Sequence, residues 1–512
     1  MVFCALMSAR ALTRRSLLAA TAGALAGGLT RPGAVLAALG GPSRPRLSER
    51  RVGRLGRRPV TLELAALADL VGVQWADGSA AGLQLRFRAA GGAWSAWVAA
   101  GGHGHGPDAG PPSSGNVGDP IWTGGASAVQ LRSSSPLSDV RLHLIDVSAG
   151  LGARRQVLAL GPLANAAALP SATPLLAAGA GQPAIIARRA WAQGVAHPRV
   201  APAYGAVRMA FVHHTENPNG YLAGEVPAML RAIFAFHRYV NGWNDIGYNF
   251  VVDLFGRVFE ARAGGIDEPV VGAHAGGYNL VSSGVAVLGS FMSVPISTPA
   301  RRTLERLLAW KLSLHGAPSQ GRVTVRVNPA GAVYSRFPAD ARVSLPRIAG
   351  HRDADTTDCP GNVLYGELPT LRAGVHRLAL GPARVTLAYV PATAPSAPAP
   401  GTPAEPPPAG SPPATTPAPP APGVPAMLTG TVAFLDGTPI AGAPIQLQVR
   451  RVARKGEVVQ EQPLAQLTSD AQGRFAAPAG FPGVSGASWL RALFAGAGSA
   501  GASISDPLLV SL

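Results

Sequence analysis

Val207-Arg208-Met209-Ala210-Phe211-Val212-His213-His214 is an apolar run that ends on two adjacent histidines. It reads as a buried strand, and successive strand residues face opposite sides, so only one of His213 and His214 can reach any single site. Working outward, Val226 to Val240 has the spacing of an amphipathic helix. Gly247 to Val252 and Arg257 to Glu260 predict a hairpin around Asp253-Leu254-Phe255-Gly256. Gly284 to Gly289 reads as a second buried strand, and Thr298-Pro299 opens a helix that runs to about His315, with proline in its first turn. Both periods alternate between 183 and 380, which predicts an α/β domain with helices packed on a mixed β-sheet. Gly316 to Leu345 carries its own short strand pattern and reads as an insertion.

The chemistry of this domain gathers in Gly350-His351-Arg352-Asp353-Ala354-Asp355-Thr356-Thr357-Asp358-Cys359-Pro360-Gly361. The chain has only two cysteines, and Cys4 stands in the N-terminal segment expected to be removed, so Cys359 has no internal disulfide partner. A lone thiol beside a histidine reads as a zinc ligand: zinc takes nitrogen and sulfur in a tetrahedron, and a catalytic zinc keeps one position open. His351 and Cys359 flank one loop, and the third ligand is expected from His213 or His214 at the end of the buried strand. Asp353, Asp355 and Asp358 are expected to hydrogen-bond within the loop. His237, His315 and His376 are read as having no ligand role.

Five separated motifs stand in order: Phe211 to Thr215, Gly242-Trp243-Asn244-Asp245-Ile246-Gly247-Tyr248-Asn249-Phe250, Gly272-Ala273-His274, Tyr278-Asn279, and His351 to Gly361. Together they are similar to the peptidoglycan recognition protein and N-acetylmuramoyl-L-alanine amidase (type 2 amidase) family, over about a third of the chain. The resemblance implies Zn2+ held by His213, His351 and Cys359, with a water made nucleophilic at neutral pH. It implies that Tyr248 steadies the oxyanion as the amide carbonyl becomes tetrahedral. Thr357 matches a position where phage-type relatives carry lysine; its hydroxyl can orient water or substrate but cannot replace a charge. His274 matches a position near the active site, where a polar substrate contact is expected. Relatives without the cysteine bind peptidoglycan without cleaving it, so Cys359 favours an enzyme. The general base stays open.

The flanks are β-rich. From about Pro59 to Val147 the pattern alternates with period two, as in Gly82 to Arg88 and Arg141 to Ile145, and residues 39–165 are read as a β-rich domain, a β-sandwich whose Trp75, Trp94, Trp97 and Trp122 serve the core. His103 and His105 are read as loop surface. Residues 391–425 are rich in proline, alanine and threonine and predict an extended spacer. Residues 426–512 carry further strand patterns and resemble small Ig-like or transthyretin-like modules of secreted proteins.

At the N-terminus, Arg14-Arg15 precedes an apolar stretch too short to span a bilayer, so residues 1–38 read as a twin-arginine signal peptide. The formal charge of the 512-residue chain is +17, which favours anionic cell-wall polymers over nucleic acid as partners of an exported protein. No later stretch is long and apolar enough to predict a stable membrane span in the mature protein. The reading is therefore a secreted or wall-associated zinc amidase acting on peptidoglycan, at the bond between N-acetylmuramic acid and L-alanine. Its alternative is a non-catalytic peptidoglycan-binding protein.

Overall fold

The computed structural model describes residues 44–79, 82–101, 106–107, 116–147, 182–392, 425–452, 458–482, 484 and 487–511. The expected signal at 1–38, with Cys4, Arg14 and Arg15, the loop histidines His103 and His105, and residues 393–424 of the expected spacer lie outside the described residues. Among the described residues no helix is long and apolar enough to cross a membrane.

The central domain is a six-stranded sheet of β8 (Ile185–Ile186), β9 (Met209–His214), β10 (Phe250–Val252), β11 (Val258–Glu260), β12 (Ser282–Val287) and β15 (Ile348–Gly350). Their spatial order is β15-β9-β12-β10-β11-β8. β9 lies parallel to both β12 and β15, and all six of its residues are buried. That explains its nearly unbroken apolar sequence, because a parallel strand covered on both faces has no solvent side to mark with polar residues. β10 and β11 form the antiparallel hairpin. Its turn is fixed by Asp253, whose carboxylate accepts from the backbone N–H of Phe255 and Arg257, at 3.0 and 2.9 Å.

Helices cover both faces. Short α1 (Arg188–Ala192) and α2 (Val226–Ala235) pack on one, and α2 continues into a π-helical turn at Phe236–Val240. α3 (Thr298–Leu314) and α4 (Asn362–Leu378) share a core on the other, with Leu304, Leu307, Leu308, Leu368 and Leu371. α3 begins where the sequence indicates, with the Ser297 hydroxyl accepting from the Ala300 N–H at 3.2 Å. The 316–345 stretch holds a two-stranded ladder of β13 (Arg322–Arg326) and β14 (Arg342–Pro346).

The N-terminal domain is a seven-stranded antiparallel sheet: β1 (Arg46–Leu55), β2 (Val60–Trp75), β3 (Gln84–Arg88), β4 (Val98–Ala99), β5 (Asn116–Val117), β6 (Ile121–Arg132) and β7 (Leu137–Asp146). Trp75 and Trp122 are buried as expected of core residues. Trp94 and Trp97 are only half-buried and stack with arginines instead, Arg132 lying 4.1 Å from the Trp97 ring centre. This domain docks on α2: Leu70, Trp122, Ile145 and Val147 share one core with Met229, Leu230, Ile233 and Phe236. The approach is close enough that a Cβ at Gly72 would overlap the Phe236 ring.

The C-terminal module has two sheets around one core. One holds β16 (Ala383–Val385), β17 (Ala388–Val390), β18 (Met427–Phe434) and β21 (Arg474–Pro478). The other holds β19 (Pro444–Val452), β20 (Val458–Thr468), β22 (Ala487–Phe494), β23 (Ser503–Ile504) and β24 (Leu508–Ser511). Two of these strands, β16 and β17, come from the chain ahead of the proline-rich stretch.

Candidate metal centre

The strand register brings the ligand candidates together. Gly350 of β15 pairs with Val212 of β9, so the next residues, His351 and His213, leave neighbouring strands side by side, with ring centres 4.6 Å apart. The chain then turns at His351–Asp353 and returns through a loop whose ends are tied by the Arg352 N–H donating to the Cys359 carbonyl at 3.0 Å. One ligand atom each from His213, His351 and Cys359 lies within 4.8 Å of the others, and all three residues are buried. Cys359 Sγ stands 3.7 Å from His213 Nδ1 and accepts the His214 backbone N–H at 3.4 Å. The His214 side chain faces away from this cluster, as strand alternation requires, and pairs with Glu216 at 2.9 Å.

The ligand candidates are oriented by a surrounding set of bonds. His351 Nε2 meets Asp355 Oδ2 at 2.8 Å, and the same oxygen accepts the Gly276 N–H at 3.1 Å. His213 Nε2 shares a hydrogen bond with His274 Nδ1 at 3.1 Å. The backbone of His274 is held in turn by Asn279 Oδ1, at 2.8 Å. In both imidazoles one nitrogen is thereby committed to a neighbour, which leaves the other to ligate, the usual arrangement of metal-binding histidines.

Tyr248 is 3 % exposed, with its ring centre 5.4 Å from that of His213. Burial first, and then the charges of Asp119, Cys359 and Glu216, push its phenol well above the ordinary range, so it stays a hydrogen-bond donor at any working pH. Burial likewise pushes the Cys359 thiol well up, opposed by the His214 N–H and reinforced by Asp119 and Glu216. A thiolate here needs a compensating cation. Two imidazoles, one thiolate and a short mutual distance fit zinc.

Two expected residues sit differently from their neighbours in the sequence reading. His274 is fully buried against His213, with Gly272 and Gly284 packed so closely that a Cβ on either would overlap its ring. Its Nδ1 faces His213 Nε2, at 3.1 Å. Thr357 is half-buried, and its hydroxyl accepts the Cys359 N–H at 3.0 Å, while the residue lines a cavity with Arg336, Arg352 and Tyr365. His237 accepts the Gly247 N–H on Nδ1 at 3.1 Å and stacks on Trp243.

The sequence reading missed two carboxylates near this centre. Glu216 is 2 % exposed and holds a left-handed backbone angle, φ 57°. It follows His213-His214-Thr215 directly, and that position alone could have flagged it. Asp119, 9 % exposed, arrives from the N-terminal domain, and no local signal in the sequence points to it.

The chain is similar to known proteins over the segment that holds these residues. A family model described as N-acetylmuramoyl-L-alanine amidase matches residues 203–362, and one described as Rv3811 N-terminal galactose-binding domain-like matches residues 64–168. Peptidoglycan-recognition protein SC2 of Drosophila simulans is 30% identical over 161 residues, which are 31% of this chain and 72% of that protein. Human N-acetylmuramoyl-L-alanine amidase is 32% identical over 194 residues, 37% of this chain and 28% of that protein. Among solved structures, Drosophila PGRP-LB wild-type is 24% identical with a TM-score of 0.28, covering 36% of this chain and 92% of that one. With its paired histidines, Tyr248 and the His351–Cys359 loop inside the matched segment, the chain belongs to the family of peptidoglycan recognition proteins and N-acetylmuramoyl-L-alanine amidases.

Proposed function

We propose that this chain is an exported zinc-dependent N-acetylmuramoyl-L-alanine amidase that hydrolyses the amide between N-acetylmuramic acid and L-alanine of peptidoglycan. The observation that carries the reading is the convergence of His213, His351 and Cys359, whose ligand atoms lie within 4.8 Å of one another. These three residues would hold the metal. When bound, zinc supplies a Lewis acid that polarises the amide carbonyl and lowers the pKa of water.

The chain's own residues supply the rest. Asp355 and His274 orient His351 and His213 by the bonds described above. The Tyr248 hydroxyl, kept protonated by burial, donates to the oxygen of the scissile carbonyl as negative charge develops there. Thr357 ties the Cys359 N–H, fixing the end of the ligand loop. In this reading the domains run 39–165, 183–380 and 426–512, the first and last keep the basic protein on anionic wall polymers, the last is an Ig-like or transthyretin-like module, and residues 1–38 direct twin-arginine export.

Metal content and turnover of Cys359→Ala and Tyr248→Phe beside the wild type test the reading. Cys359→Ala should lose zinc and all turnover, while Tyr248→Phe should keep zinc and lose on the order of 100-fold in kcat, the usual effect of removing one oxyanion donor. A Cys359→Ala protein that retains wall affinity beside an equally inactive wild type would establish the non-catalytic binder instead.

A further inference from the structure

The solvent face of the N-terminal sheet carries a row of cations spaced by two aromatic rings. On β3, Leu85 and Phe87 turn inward to the core of this domain, so Gln84, Arg86 and Arg88 turn outward. On β6, Val129 and Leu131 turn inward, so Gln130 and Arg132 share that outer face. The register sets Arg86 opposite Gln130 and Arg132 opposite Gln84. The segment after β3 brings Trp94 and Trp97 to the same side chains, both rings half-buried. The Arg132 guanidinium lies 4.1 Å from the Trp97 ring centre, and that of Arg86 lies 4.7 Å from Trp97 and 5.2 Å from Trp94. Arg88 completes the row, 4.9 Å from Trp94. The order is cation, ring, cation, ring, cation.

Hydrogen bonds fix the two guanidinium groups beside Trp97. Arg86 Nε donates to Gln130 Oε1 at 2.7 Å, and Arg132 Nε donates to Gln84 Oε1 at 2.9 Å. Gln130 is held in turn, donating through Nε2 to the Thr61 hydroxyl at 2.8 Å. Each of these guanidinium groups is anchored by its Nε and by its stacked face, so its plane is set before any ligand arrives. Its paired Nη edge is the one that matches an oxyanion with two parallel bonds. Among the described residues, the carboxylate paired with this row is Glu63, 2.6 Å from Arg88, with its side chain 63 % exposed. Like charges on neighbouring strand positions work against a sheet, and here three cations stand with one counter-charge. A ligand that brings anions in series relieves that repulsion.

We infer that the row of Arg132, Arg86 and Arg88, spaced by Trp97 and Trp94, is a docking strip for a linear wall polymer whose backbone carries phosphodiester groups. The inference rests on the wall-retention part of the proposed function and gives it a place on the molecule. Charge and regularity select this partner. A phosphodiester chain carries an anion in every repeat of its backbone, so successive phosphates can meet successive guanidinium groups. The carboxylates of peptidoglycan stand on separate peptide branches and offer no such series. Each phosphate neutralised releases condensed counterions, so binding by the strip falls as salt rises. The rings hold the arginine planes in place, which lessens the side-chain freedom lost on binding.

The test uses the full chain, as wild type, as Arg86→Gln with Arg132→Gln, and as Arg302→Gln with Arg306→Gln. The last pair lies exposed on α3 and removes the same charge elsewhere, so it separates the strip from the general attraction of a chain of net charge +17. Binding is measured to long-chain inorganic polyphosphate over a range of salt, and to cell walls before and after hydrofluoric acid strips their phosphodiester polymers. Loss of Arg86 and Arg132 should weaken polyphosphate binding by on the order of 10-fold and lower the slope of log K against log salt by about 1 to 2. The α3 pair should change both far less. Stripped walls should bind all three proteins alike, while unfolding midpoint and turnover of a soluble muropeptide stay at wild-type values throughout. Equal binding by the two double variants would overturn the inference, and so would a strip-dependent difference that persists in full on stripped walls. Where the β-sheet double variant fails to fold, Arg132→Gln alone decides by the same comparison with Arg302→Gln. An inactive wild type that still binds phosphodiester polymer through the strip would overturn the amidase reading and uphold this one.

Discussion

At His351 one ring nitrogen is committed to Asp355, 2.8 Å away, so that carboxylate sets which nitrogen is left to bind metal. Asp355→Asn should weaken zinc binding by about 10- to 100-fold with the fold intact, read by competition against a chelator. Unchanged affinity would show that the ring is oriented by packing alone. The residue types at this centre were legible beforehand. A cysteine eight residues from a histidine suits a zinc-binding loop, and strand alternation separates His213 from His214. Asp119 and Glu216 were not legible, because only folding brings their charges to bear on Tyr248 and Cys359, and Asp119 belongs to another domain.

Among the elements, β11 joins α1 to the sheet through a buried acid. Glu260 Oε2 accepts the Arg188 N–H at 2.9 Å, while the Arg188 guanidinium pairs with Asp245 at 2.8 Å. Burial raises the Glu260 pKa from 4.5 to about 7, against the opposing pull of Arg188. The folded state thus binds this proton more tightly than the unfolded state. The resulting stability is complete below about pH 4.5 and is lost as pH rises through about 7, a change on the order of 3 kcal/mol. Unfolding of wild type and Glu260→Gln at pH 5 and pH 8 should show the variant gaining on the wild type at the higher pH. A gap that does not vary with pH would contradict the assignment. β9, an unbroken apolar run, and α3, with helical spacing and proline in its first turn, were legible in the sequence. β1 was not: its Arg46, Arg50, Arg51 and Arg54 leave most of the strand exposed, with too few buried positions to print an alternation. Short β16 and β17 likewise gain their meaning only by pairing with β18 across the proline-rich stretch.

Among the described residues, two seams join the domains, and the sequence did not disclose them. One is the apolar core between the N-terminal domain and α2, a kind of contact that resists relative domain motion. The other adds a buried polar cluster to the apolar contact of Leu493 and Ala502 with α3: Arg491 of β22, 2 % exposed, pairs with Asp267 at 2.5 Å and with Glu268, while Lys311 of α3 donates to the carbonyls of Ile266 and Glu268, at 2.8 Å each. Arg491→Met removes one partner and leaves two buried carboxylates, so residues 264–271 should exchange amide hydrogens faster and β1 to β7 should not change. Equal exchange at 264–271 would show that the module is docked by apolar contacts alone. Seams of this kind depend on which finished surfaces meet, and no periodicity within either segment encodes that. What they frame is the centre formed by His213, His351 and Cys359, and its most direct test is the release of new L-alanine amino termini from peptidoglycan by purified protein carrying stoichiometric zinc. These termini should appear with the wild type and be absent with Cys359→Ala; zinc-loaded wild type that releases none from any peptidoglycan would contradict the amidase reading.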